Sequence, residues 1–161
     1  MQKDLFFMEQ AYKQALKAYA IDEVPIGAVL VDGNGVIVAR GYNQVEKQGS
    51  QLAHAEMLAL HKGSKKLGTW RLSSMTLYVT VQPCMMCIGS LYLSRVSRIV
   101  YGVSSMKYGV SVDQVKQIGI YQNLHTTMES VHYEPAKILL QLFFQKKRSM
   151  RDGQQGGSCK D

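Results

Sequence analysis

Two short motifs, each placed where a helix should begin, restrict this chain more than any other feature. His54-Ala55-Glu56 opens "HAEMLALHKG", and Pro83-Cys84-Met85-Met86-Cys87 lies in "QPCMMCIG". The stretch between Glu56 and Pro83 has room for one helix and one strand. The patterns around it agree. Leu5, Met8, Tyr12, Ala15 and Tyr19 form an apolar stripe that predicts a helix over 3–20. "GAVLVDGNGVIVARGYN" reads as a β-hairpin, two β-branched runs about Asp32-Gly33-Asn34-Gly35. Residues 44–52 read as a polar connection.

A helix is expected over 53–66, with Met57, Leu58 and His61 on one face and Leu60 beside them. Strands follow at 75–81 and 97–103, separated by a buried helix over 84–94 that starts at the cysteines. A loop over 104–113, a short helix near 113–118 and a strand near 127–133 come next. Pro135 fits the first turn of a last helix, whose face is Ile138, Leu139, Leu142 and Phe143 and which ends in "QKKRSMR". Alternation of this kind predicts an α/β fold, a sheet covered by helices on both faces. Residues 1–150 read as one domain, and 151–161, "RDGQQGGSCKD", as a disordered polar tail.

His, Cys and Cys suit a borderline metal such as zinc. Cys84 and Cys87 are three apart at a helix start, so they face one way, and the helix dipole there favours thiolate. His54 would be the third ligand. Glu56 is two residues on, which is off the same helix face. A metal beyond the end of the helix removes that objection, because side chains lean back toward the N-terminus. On this reading His54 binds metal and Glu56 stays unbound beside it. Three protein ligands leave a fourth tetrahedral position for water, the mark of a catalytic site.

Each motif alone has plainer readings. A lone C-x-x-C fits a redox pair or half of a structural zinc site. A structural site needs a fourth strong ligand, from His61, His125, His132 or Cys159. Together, however, H-x-E followed by P-C-x-x-C is the signature of zinc nucleobase deaminases.

Composition narrows the partners. The chain has 161 residues, a formal charge of +7 and 46% hydrophobic residues. That suits a globular protein with a polyanionic partner, or a merely soluble basic one. Three cysteines argue against a disulfide framework. No apolar run approaches the ~20 residues of a membrane span, and the charged N-terminus does not look like a secretion signal. A cytosolic protein is expected.

"EVPIGAVLV", "GYN", "AHAEMLAL", "TLYVTVQPCMMCIGS", "SRIVYG" and "FFQKKR" resemble the bacterial tRNA-specific adenosine deaminases, over about residues 3–148. The resemblance implies a three-layer α/β/α sandwich around a mixed sheet of about five strands, cytidine deaminase-like, and a homodimer. It implies one Zn²⁺ per subunit on His54, Cys84 and Cys87. It makes Glu56 the proton carrier in converting adenosine to inosine at the wobble position of arginine tRNA with anticodon ACG. Asn43 matches a position whose amide hydrogen-bonds the purine, and Ile26 and Ala55 match pocket walls. Asn43 would otherwise be a turn residue.

Phe144, Lys147 and Arg148, on the basic last helix, are candidates for the anticodon stem-loop. Cations there would otherwise simply complement the helix dipole. The chain departs from the family at Gln82 (usually Glu), Ser90 (usually Ala), Ser50-Gln51-Leu52 (usually Asp-Pro-Thr) and Ser105 (often Asp). The alternatives are a guanine, cytosine or nucleotide deaminase of the same superfamily, and a noncatalytic RNA-binding subunit with a structural zinc.

Overall fold

β-Branched residues run in pairs of short strands, and the chain lays them side by side. The structure, a computed structural model, describes residues 2–105, 107–118 and 125–155. Helix α1 (Gln2–Ala20) precedes a hairpin of β1 (Gly27–Val31) and β2 (Ile37–Tyr42). Then come a short α2 (Val45–Gln48), a 3-10 turn (Gln51–Ala53), α3 (Ala55–Leu67), β3 (Thr76–Val81), α4 (Met85–Leu93) and β4 (Arg98–Val103). The chain finishes with α5 (Val112–Lys116), β5 (Thr127–Ser130) and α6 (Glu134–Gln155). The five strands form one mixed sheet in the order β2-β1-β3-β4-β5. β1 pairs antiparallel with β2 and β3, while β3-β4 and β4-β5 are parallel.

The hairpin closes as its sequence suggests. Asp32 Oδ1 accepts the N–H groups of Asn34 and Val36, and Gly35 takes a positive φ of 84°. β1 is buried along its whole length because both faces of the sheet are covered. Its alternate residues serve two cores. Ala28 and Leu30 pack with Ala55, Ala59 and Leu60 of α3 and Leu91 of α4. Val29 and Val31 pack with Phe7, Met8 and Ala11 of α1. α6 joins the α1 side, where Phe143 meets Tyr19 at 6.3 Å between ring centroids.

Several expectations shift by a residue or more. The α1 stripe is Phe7, Met8, Ala11, Ala15 and Ala18; Leu5 is exposed. The face of α3 that meets the sheet is Ala55, Glu56, Ala59, Leu60 and Gly63, while Met57 and Leu58 are only half-buried and His61 is exposed. In both helices alanines lie close to the sheet (Ala11 and Ala15 of α1, Ala55 and Ala59 of α3), with Phe7, Met8 and Leu60 filling the cores beside them. On α6 the buried residues are Ala136, Leu139 and Phe143, and Ile138 and Leu142 are exposed. β5 stops at Ser130, two residues before His132 takes φ 49°. α6 runs on to Gln155, beyond residue 150; the rest of the expected tail, 156–161 with Cys159, lies outside the described residues.

Close packing matters most at Gly41. A Cβ there would overlap the carbonyl oxygen of Ala55, in the first turn of α3. Gly41→Ala is therefore expected to push the start of α3 off the sheet and cost about 2 kcal/mol or more. Thermal unfolding with zinc content measured on the same sample checks this: melting temperature and zinc occupancy should both fall.

Candidate active site

The two motifs meet because two helices begin at one end of the sheet. His54 is the N-cap of α3 and Cys84 the N-cap of α4. Both have extended backbone, and their carbonyls accept the first helical bonds, from Leu58 and Ile88. Neither side chain caps its own helix, so both are free to turn toward each other. Cys87 follows in the first turn of α4 and is fully buried.

His54 Nδ1 lies 3.8 Å from Cys84 Sγ and 3.5 Å from Cys87 Sγ. The three donor atoms all fall within 4.8 Å of one another. A tetrahedral zinc with Zn–S of ~2.3 Å and Zn–N of ~2.05 Å would set each N···S separation at about 3.6 Å. The donor set and its spacing therefore fit one Zn²⁺. Among the described residues no fourth His, Cys, Asp or Glu joins the group, and His61, His125 and His132 are exposed. An open fourth position is what a catalytic centre needs and a structural one lacks.

The electrostatics suit a cation. The hydrogen bond from Cys87 holds the Cys84 thiol down to about 4, with His54 adding to the effect. The same pairing, with burial, pushes Cys87 up. His54 is raised, chiefly by its hydrogen bond with Cys84. Glu56 is 4% exposed, and burial raises its carboxyl above the usual range. It sits in the first turn of α3 outside the ligand group, close enough to His54 and Cys87 to feel both. A buried carboxyl shifted upward holds its proton more readily than an exposed one.

The remaining candidates fall into two places. Ala55 is fully buried, Ile26 half-buried and Asn43 buried. The Asn43 N–H donates to Ile26 O at 2.9 Å, and the next residue, Gln44, donates to Ala53 O at 3.0 Å. Asn43 thus lies beside the segment that leads into His54. Phe144, Lys147 and Arg148 lie apart on α6. Phe144 and Arg148 are exposed, and Lys147 is tied with Lys146 to Asp22. Such exposed pairs contribute little and yield readily to another anion.

Two polar residues were not picked out by their sequence pattern in these roles. Gln82 Oε1 accepts the Ser105 N–H at 3.1 Å and lies against Gly109, so this departure anchors the loop after β4. Glu23 is 2% exposed and binds Asn43. The sign was an acid before Val24-Pro25-Ile26, which reads equally well as a surface turn.

Comparison with known proteins agrees with this geometry. The profile of the cytidine and deoxycytidylate deaminase zinc-binding region matches residues 1–103. The tRNA-specific adenosine deaminase of Bacillus subtilis (strain 168) is 50% identical over 111 residues, covering 69% of this chain and 68% of the relative. A structure from a study of A-to-I editing by tRNA:A34 deaminases superimposes with a TM-score of 0.72 and 32% identity, covering 86% of this chain and 99% of the other. Guanine deaminase from Nitrosomonas europaea superimposes with a TM-score of 0.71 at 25% identity, covering 85% of this chain and 82% of the other. With the His54, Cys84 and Cys87 donors gathered at two helix starts, the chain belongs to the zinc-binding cytidine and deoxycytidylate deaminase family and, within it, to the tRNA-specific adenosine deaminases.

Proposed function

We propose that the protein hydrolyses the 6-amino group of the wobble adenosine in a tRNA anticodon, leaving inosine, and that the tRNA is the arginine tRNA with anticodon ACG. The observation that carries this reading is the ligand trio with a buried, unliganded Glu56 beside it. The relatives' specificity for tRNA adenosine supplies the substrate.

In this reading His54, Cys84 and Cys87 would hold Zn²⁺, which would supply Lewis acidity that makes a water more acidic. Glu56 takes a proton from the attacking water as its oxygen adds at adenine C6. It delivers that proton to ring N1, then takes the second proton from the new C6 hydroxyl and passes it to the 6-amino group, which leaves as ammonia while C6 becomes a carbonyl, so protons balance over the cycle. Burial keeps bulk water away from the carboxyl and confines the transfer. Asn43 holds the purine, and Ile26 and Ala55 wall the pocket.

The substrate's phosphates would meet the basic end of α6. Lys146 and Lys147 reach Asp22, next to Glu23, which in turn holds Asn43. Basic helix and pocket wall are thus two ends of one short segment, a layout that suits a stem-loop with one base inserted. Phe144 offers a stacking face there. Reversing charge at Lys146, Arg148 and Arg151 should weaken stem-loop turnover at least about tenfold and flatten its salt dependence, with zinc retained. Unchanged turnover would remove this end of α6 from the RNA-contact surface.

A homodimer is part of the proposal. The exposed Met85 and Leu93 on α4 and Leu52 before α3 give it apolar surface to bury, and sedimentation at working concentration tests it. Among the described residues no helix is long and apolar enough to cross a membrane. The proposed site of action is the cytoplasm.

A further inference from the structure

Glu23 is a buried acid that the chemistry above does not use. Its two oxygens are both engaged. Oε2 accepts from Asn43 Nδ2 at 3.1 Å, and Oε1 accepts from the Lys47 N–H at 2.7 Å. Lys47 lies in the first turn of α2, whose N-cap, Gln44, does not cap the helix with its side chain. Glu23 therefore satisfies an amide that the local sequence leaves open. Asn43 follows directly on β2, where its N–H continues the pairing to Ile26 O, and strand alternation would put it on the same side as Gly41, toward the start of α3. The missing Cβ of Gly41 points at the Ala55 carbonyl, and residues two apart on a strand share a face.

We propose that Glu23 is a positioning residue for the deamination, locking the side-chain amide of Asn43 in one of its two flips. A carboxylate only accepts hydrogen bonds, so the amide must turn its NH₂ group to Glu23 and its Oδ1 the other way. Among the described residues no hydrogen bond takes Asn43 Oδ1. Without Glu23 the two flips would be alike, and half the encounters would meet the wrong end of the amide. The inference rests on the proposed role of Asn43 in holding the base.

Glu23→Gln tests it, because the side chain keeps its size while its polarity becomes two-sided. The introduced amide would give its oxygen to the Lys47 N–H. Its NH₂ would then face Asn43, which must flip to offer Oδ1 in return. The expected result is a loss of about tenfold to a hundredfold in kcat/KM on an ACG stem-loop, with zinc content and melting temperature near wild type. Asn43→Ala should lose at least as much. Glu23→Gln added to Asn43→Ala should lose nothing further, because Glu23 acts only through Asn43.

Wild-type kcat/KM in Glu23→Gln, or losses that multiply in the double variant, would overturn the proposal. A purely structural Glu23 would instead lower melting temperature and zinc content together with activity. Full activity in Asn43→Ala would remove the role of Asn43 itself, a separate failure.

Discussion

Glu56→Gln should still bind one zinc and should turn over substrate about a thousandfold more slowly or worse. General acid–base groups contribute about 10² to 10⁴ in rate, and one carboxyl here is assigned every proton transfer of the cycle. Gln is nearly the same size as Glu and donates as well as accepts, so the buried position stays filled, but it carries no exchangeable acid proton near neutrality. Glu56 lies outside the ligand group, so metal binding should be untouched. Stem-loop deamination with zinc content on the same preparation reads both effects. Unchanged turnover would remove Glu56 from its role. Loss of zinc with turnover would make it a fourth ligand and the centre structural.

Cys87→Ala should lose the metal and, with it, all turnover. Cys87 is fully buried, and its sulfur is 3.5 Å from His54 Nδ1. Two donors, His54 and Cys84, do not close a zinc site, and alanine leaves a gap beside the buried Glu56. Metal that binds only the folded state stabilises it by mass action, so the variant should also melt earlier. Zinc content after dialysis against a mild chelator, with a thermal scan, measures both. Cys159→Ser is the matching control and should retain zinc, because three donors already suffice. Zinc lost in that control would restore the reading of a four-ligand structural site.

Much of this was legible in the sequence because the signals were local. The hairpin followed from two β-branched runs around Asp32–Gly35, and both helix starts from Pro83 and the motif residues. The ligand trio was readable because H-x-E and P-C-x-x-C together form a known signature, although His54 and Cys84 are 30 residues apart and only packing brings their helix starts together. Which helix face is buried was not. In α1 and α3 the sheet accepts Ala11, Ala15, Ala55 and Ala59 and excludes Leu5 and His61, a matter of distance between layers that periodicity does not carry. The buried acid Glu23 went unremarked, and Gln82 was noted only as a departure from the family, for a related reason. Their partners, Asn43 and Ser105, are about 20 residues away in sequence, and only the folded chain brings them together. The partnering of Lys147 with Asp22 is longer in range still.

The most direct test is a deamination panel run on zinc-quantified protein: an ACG anticodon stem-loop, the same loop with another wobble base, free adenosine, guanine and cytidine. Inosine formed in the first RNA alone, with one zinc per subunit, is the predicted result. Turnover of guanine or cytidine with the stem-loop left unchanged would contradict it, keeping the zinc chemistry while taking away the tRNA.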